Sequence, residues 1–390
     1  MQIIKIIKCI GVYLTISCLI LVLIAGLPIK DNDSYVTATD QPLMRIVFDN
    51  THEETKSITG EYKNVAGLLD NKGYLVNKST EIHTDLSIVL LNCNVFVVTT
   101  PHVVFRPNET QLIENFVAEG GNLFLLGGYE FNSTLTASIN SLSTQFGIQF
   151  DQKLVEDPND NNGRPYQPII RHFSAHPIIN TTDIKEIVLY NATTLSGGTS
   201  VARTGLDADP SNASVLAVSK YGKGKIAAIS DSDLFSNTNI NENTRGLILN
   251  IFGWFVFEVN QVFVKAATVA QGDFMDVILE LETIRNYSNL FIRVVGEGLE
   301  TFEGRFNLTA GMNRISIEVQ ISVDPYTFGD RTISVLIIYK PQAFNRNILY
   351  KTEFPITIRI PLANLIIGYG VPLILIFALF LYSYRSRNKK

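Results

Sequence analysis

The chain has 390 residues, a formal net charge of −5 and 46% hydrophobic residues. That length accommodates two ordinary domains. The mild acidity excludes a nucleic-acid partner, which would need a basic face to neutralise phosphates. Of the three cysteines, Cys9 and Cys18 lie in an apolar run and Cys93 stands alone in the body. A disulfide framework is therefore excluded, and Cys93 reads as a small buried hydrophobe.

Taken from the N-terminus, residues 9–27 form an uncharged apolar run, and residues 362–384 form a second. Each is near the ~20 residues that cross a bilayer as a helix. Lys5 and Lys8 precede the first, and Arg385, Arg387, Lys389 and Lys390 follow the second. Lys and Arg stay on the cytoplasmic side. The expectation is an integral membrane protein with both termini cytoplasmic and an extracytoplasmic body. Outside is then the cell exterior or the lumen of the endoplasmic reticulum. Residues 1–30 read as a signal anchor or signal peptide, 362–384 as a transmembrane helix and 385–390 as a basic cytoplasmic tail. Sequons at Asn32, Asn77, Asn108, Asn132, Asn180, Asn191, Asn212, Asn286 and Asn307 all fall between the two runs, as glycosylation candidates.

Residues 42–258 alternate short apolar strands with amphipathic helices. Residues 44–48 read as a strand ending at Asp49 and Asn50. A helix through Val65, Leu68 and Leu69 stops before Gly73, and strands follow at 74–76 and 95–98. Asn108 reads as the cap of a helix with Gln111 in the capping-box position. Its Leu112, Ile113, Phe116 and Val117 repeat at helical spacing, and Gly120 and Gly121 end it. Strands are expected at 123–126, 187–190, 215–218 and 226–229, and a last helix at 244–257. This alternation predicts an α/β fold, a doubly wound and mostly parallel sheet. Residues 261–360 differ. Ile315, Ile317, Val319, Ile321 and Val323 alternate with polar residues, which predicts an antiparallel β-sandwich.

In an open parallel sheet, ligands bind beyond the carboxyl ends of the strands. The candidates there are Asp49, Asn50 and His52, then Thr100 and His102, then Gly128, Tyr129 and Glu130, and lastly Asp231 and Asp233. They either converge on a ligand crevice or cap helices and close turns. Asp231 and Asp233 either hold a cation or cap the helix that follows. The turn from Gly127 to Phe131, where this architecture would place a nucleophile, has no Ser or Cys. His172 and His176 stand at i, i+4 without the Glu of a zinc-protease motif. Gly222-Lys223-Gly224-Lys225 reads as a hairpin turn rather than a phosphate loop. No cofactor and no metal are expected.

Three stretches carry a resemblance. The first is Ile46-Val47-Phe48-Asp49-Asn50 with Leu69-Asp70-Asn71-Lys72-Gly73-Tyr74. The second is Phe116-Val117-Ala118-Glu119-Gly120-Gly121-Asn122-Leu123. The third is Tyr221-Gly222-Lys223-Gly224-Lys225 leading to Ser230-Asp231-Ser232-Asp233. Together they are similar to the non-catalytic class I glutamine-amidotransferase-like (GIFT-type) family. In layout the chain most resembles the non-catalytic beta-type subunit of oligosaccharyltransferase. It is also similar to gliding-type ABC transport accessory proteins. The resemblance implies a non-enzymatic accessory subunit of a membrane oligosaccharyltransferase-like complex for protein N-glycosylation. The alternative is an extracytoplasmic binding module of an ABC-type transport system. Implied partners are the membrane, multispanning membrane subunits and a glycan or peptide.

Overall fold

Four short apolar segments, each bounded by polar residues or glycine, make the centre of the first sheet. In the computed structural model, which describes residues 43–129, 133–179, 184–265, 268–283, 286–322, 329–339 and 347–359, these are β1 (Arg45–Phe48), β2 (Leu75–Lys78), β3 (Val95–Thr99) and β4 (Asn122–Leu126). They pair in parallel in the order β2-β1-β3-β4. β3 and β4 are buried along their whole length, as strands covered on both faces must be. The connections carry helices α1 (Lys63–Asp70), α2 (Ser79–Ile82), α3 (Leu86–Leu91) and α4 (Pro107–Ala118), and α5 (Thr134–Ser143) follows β4.

After α5 the chain changes habit. β5 (Ile148–Phe150), β6 (Ile169–Ile170), β7 (His172–Phe173), β8 (Ile187–Val188), β9 (Leu195–Gly197) and β10 (Thr199–Arg203) follow with no α-helix between them among the described residues. β11 (Ser214–Tyr221) and β12 (Gly224–Ile229) form a hairpin through Gly222 and Lys223, as expected. β12 runs parallel to β4 but antiparallel to β11, which pairs antiparallel with β9 and β10. α6 (Glu242–Val256) then leads without a linker into β13 (Phe257–Val264).

The remaining strands are β14 (Thr268–Ala270), β15 (Phe274–Thr283), β16 (Tyr287–Gly296), β17 (Phe302–Leu308), β18 (Gly311–Gln320), β19 (Gly329–Tyr339) and β20 (Asn347–Arg359). They form a three-stranded sheet, β13-β15-β18, and a five-stranded sheet, β14-β20-β19-β16-β17. Every pairing in these sheets is antiparallel except that of β14 with β20. The period-two reading holds here in detail, with Ile317 and Val319 buried and Glu318 exposed. β17 has no counterpart in the sequence reading, because Gly304 interrupts the apolar side of its alternation.

These pairings correct the expected fold class. The described residues are mostly β, with 41% strand against 22% helix and several sheets, rather than a doubly wound α/β fold with transmembrane segments. A doubly wound sheet needs a helical crossover between successive parallel strands. From β5 to β12 the described chain turns back through short strands instead, and such turns join antiparallel neighbours. Residues 187–190 contribute only the short β8, paired with β6 in a separate ribbon. The expected membrane runs, 9–27 and 362–384, lie outside the described residues. Among the described residues no helix is long and apolar enough to cross a membrane. The expectations of an integral membrane protein, a signal anchor and cytoplasmic termini therefore have no support in the structure.

Period two divides the first sheet's core between its faces. Val95 and Val97 of β3 join one cluster, while Phe96 and Val98 join the other. The first cluster continues through Leu247, Ile251, Phe252 and Phe255 of α6 to Val277 and Leu279 of β15 and to Ile333 and Val335 of β19.

Candidate functional site

β1, β3, β4 and β12 all run one way, so their carboxyl ends share one edge of the sheet. The loop of residues 49–62 crosses that edge. Its anchors are backbone and side-chain bonds: His102 N and Val103 N donate to His52 O at 2.9 and 3.1 Å, and Tyr62 Oη donates to Ser232 O at 2.7 Å. Lys56 pairs with Asp233. Thr55 and Thr100 hydroxyls meet at 2.8 Å.

At the start of this loop, buried polar groups converge. Asp49 Oδ2 lies 2.6 Å from His52 Nδ1, and Glu54 Oε1 lies 4.0 Å from the same nitrogen. The other ring nitrogen, Nε2, faces Glu109 Oε2 at 3.5 Å. Phe105 stacks on the imidazole with ring centroids 3.8 Å apart. The side chains of Asp49, His52 and Glu54 are 0%, 6% and 1% exposed. Asp49 Oδ1 accepts from Thr51 N (3.2 Å), Thr51 Oγ1 (2.8 Å) and Ser79 Oγ (3.2 Å). Glu54 Oε2 accepts from His52 N at 3.0 Å, whereas Glu54 Oε1 meets no donor.

Burial by itself would raise the Asp49 carboxyl, but hydrogen bonds from His52 and Glu54 and the His52 charge hold it below its ordinary value. Burial likewise opposes the His52 charge, yet Asp49 and Glu109 raise its pKa. Glu54 has burial and the neighbouring Asp49 charge against it, and is pushed up to about 9. Asp49, His52 and Glu54 are the residues here whose atoms could hold a metal ion, with ligand atoms all within 4.8 Å of one another.

Beside this cluster opens a cavity of about 150 Å³. Thr51, His52, Ser79, Arg106 and Glu109 give it polar walls, and Val103 and Val104 give it an apolar one. α4 supplies Glu109 through its N-terminus. The helix begins at Pro107, with Arg106 as the cap and Glu109 reaching back to Arg106 N at 2.7 Å. The expected cap at Asn108 with Gln111 is thus displaced, because proline favours the first helical position, where its missing N–H costs nothing.

The remaining candidates separate from this cluster. Asn50 closes a turn, accepting from Ser79 Oγ and from Thr80 N. Thr100 N bonds Leu126 O, and the Thr100 hydroxyl ties down the loop. Asp231 is buried and accepts from Tyr190 N and, at 2.8 Å, from Asp233 N. It therefore ties a loop to a turn, as in the capping alternative. Burial pushes its carboxyl up to about 8, with the Asp233 charge adding and the backbone N–H groups opposing. A Cβ at Gly128 would come into ordinary contact with Ser232 Oγ, and Tyr129 N bonds Asn191 O at 2.8 Å. Glu130 lies outside the described residues, as do Asn32, Asn132 and Asn180. Asn108, Asn191, Asn212, Asn286 and Asn307 are exposed, and Asn77 is half-buried. Cys93 is buried, which pushes its thiol up.

Sequence reasoning missed Glu54, Phe105, Arg106 and Glu109. The Asp49-x-x-His52-x-Glu54 spacing was a usable local signal for Glu54. Nothing local announces Glu109, which arrives from another connection.

No curated protein matches the chain. Among solved structures it is similar to the mmIFT52 N-terminal domain, at 19% identity and TM-score 0.49, covering 54% of this chain and 96% of that one. It is also similar to the C-terminal domain of wzt, at 7% identity and TM-score 0.23, covering 26% of this chain and 73% of that one. A polyextremophilic beta-galactosidase from the Antarctic haloarchaeon Halorubrum lacusprofundi follows at 11% identity and TM-score 0.34, covering 71% and 40%. At these scores the likenesses carry no inference about function. Residues 62–251, just under half of the chain, match the family model described as a domain of unknown function, DUF4350.

Proposed function

We propose that the chain is a non-catalytic accessory protein that recognises a glycan, or a peptide bearing one, for a larger assembly. The observation that supports this most directly is the cavity beyond β1. Its lining sets the polar residues Arg106, Glu109, Thr51 and Ser79 beside an apolar wall from Val103 and Val104. A sugar ring offers the matching surface, hydroxyls at its edge and C–H groups on its faces. Sites of this kind take specificity from a few placed polar groups on apolar walls. At about 150 Å³ the cavity suits a single small group rather than a drug-sized ligand, whose pockets run to about 300–1,000 Å³. The outer nitrogen of His52 faces a carboxylate. A hydrolytic triad would need a hydroxyl or thiol nucleophile there, so the arrangement favours holding a ligand over attacking one.

The test is calorimetric titration of the full-length chain with a panel of free oligosaccharides and glycopeptides. Binding is expected, and Arg106→Ala or Glu109→Gln should weaken it by at least about tenfold, the scale of one lost charged hydrogen bond. Equal binding by both variants, no binding by the wild type, or turnover of a bound glycoside would overturn the proposal.

A further inference from the structure

On the other side of the His52 ring from Glu109, two buried carboxyl groups, those of Asp49 and Glu54, converge on Nδ1. Glu54 Oε1 has no hydrogen-bond partner although its side chain is 1% exposed. Its neighbours are His52 Nδ1 and the carboxylate of Asp49. Two buried carboxyl groups side by side are costly unless a proton or another cation lies between them. Something positive belongs there.

We propose that Asp49, His52 and Glu54 bind one divalent transition-metal ion, with zinc(II) as the best match. Each carboxylate is already oriented by one oxygen and presents the other. Asp49 Oδ1 is taken by Thr51 and Ser79, and Glu54 Oε2 by the His52 backbone. That leaves Asp49 Oδ2, Glu54 Oε1 and His52 Nδ1 converging, all within 4.8 Å of one another, with the ion taking the place of the proton that joins Asp49 Oδ2 to Nδ1 at 2.6 Å. Zinc takes oxygen and nitrogen at about 2.0–2.2 Å, so side-chain shifts of up to about 1 Å would bring all three into its shell. The separations of 2.6 and 4.0 Å from Nδ1 bracket the spacing such a shell requires.

The charges also close. Two carboxylates neutralise a divalent ion while the imidazole ligates in its neutral form. Its Nε2–H then points to Glu109 at 3.5 Å, the outer carboxylate that metal-bound histidines commonly use to fix ring and tautomer. Phe105 fixes the ring plane. A mixed imidazole and carboxylate set favours zinc over magnesium or calcium, which prefer oxygen alone. The fourth position is left to water or to the Thr51 hydroxyl, 3.2 Å from Nδ1. The alternative occupant is a proton shared between Asp49 and Glu54.

The inference does not depend on glycan recognition. Its test uses the full-length chain, stripped with chelator, and zinc chloride as the only ligand. Native mass spectrometry and competition against a chromophoric chelator should give one zinc per chain. Cobalt(II) in its place should give visible absorption from a low-symmetry site. Glu54→Gln should weaken uptake at least about 100-fold, since a ligand is replaced by a neutral amide. Asp207→Asn, exposed and remote in sequence, should leave uptake unchanged. If Glu54→Gln does not fold, the wild-type stoichiometry decides alone. No stoichiometric uptake by the wild type overturns the proposal, as does equal uptake by Glu54→Gln. Either result would assign the gap to the shared proton and leave the oligosaccharide titration unaffected.

Discussion

At the scale of single residues, Asp231 is a buried carboxyl with both oxygens occupied by backbone donors from two segments. Asp231→Ala would leave Tyr190 N and Asp233 N unsatisfied. A loss of about 2–4 kcal/mol is expected from two such groups, read as a shift in urea midpoint. The same residue makes stability depend on pH. In the folded chain it keeps its proton up to about pH 8, whereas its ordinary value is 3.8. Between those values the folded state binds the extra proton, so stability falls as pH rises through the window. Urea midpoints from pH 5 to pH 8 should therefore fall more in the wild type than in Asp231→Ala. Parallel slopes would mean that the backbone donors keep Asp231 ionised throughout. The residue scale is also where sequence reading reached furthest into the site. Asp49 and His52 were legible because polar residues directly after an apolar strand mark its carboxyl end.

At the scale of elements, the β11–β12 hairpin shows how a turn is fixed by what lies over it. Gly222 has φ +57, and a Cβ there would come within 2.5 Å of Ala118 O at the end of α4. At Gly224 a Cβ would come within 2.1 Å of Gly121 O. Both contacts are with backbone and cannot be relieved by a rotamer change. Gly222→Ala and Gly224→Ala should each cost about 1–3 kcal/mol or more, measured by thermal unfolding, with no change in net charge to confuse the reading. The turn itself was legible as Gly-Lys-Gly-Lys between two apolar strands. The need for glycine was not, because it arises from α4, about 100 positions earlier in the chain. The start of α4 teaches the same lesson in reverse. Pro107 was a local signal that outweighed the Asn108 cap.

At the scale of the whole molecule, one apolar cluster joins the first sheet to the C-terminal sheets through α6. Phe252 of α6 packs edge-on against Phe124 of β4 and against Tyr74, with ring centroids 5.8 and 5.9 Å apart. Phe252→Ala should cost about 3–5 kcal/mol. Because the core is continuous, calorimetry should show a single transition that moves as one. Two transitions, with only the first displaced, would mean that the C-terminal sheets melt independently. Here the sequence expectation failed most plainly. Strands β1, β3, β4, β11 and β12 were legible from apolar runs, strands β5, β6, β7, β9 and β10 were not, and the order of pairing was not legible. β12 joins β4 in parallel and β11 in antiparallel fashion, a choice made by partners across the sheet.

The sequence by itself determined the strands β1 to β4, β11 and β12 and the helices α1, α4 and α6, because apolar period and turn chemistry are local properties of the chain. It also determined that polar groups gather after β1, β3 and β12, since the apolar runs stop there. Only the tertiary structure decided the strand directions and pairings. It alone decided which polar groups meet. Asp49, His52 and Glu54 share a loop, but their buried convergence depends on the 102–103 backbone holding His52 and on Phe105 and Glu109 closing over it. Those contacts span about 50 residues of sequence, a distance over which side-chain spacing carries no information about approach.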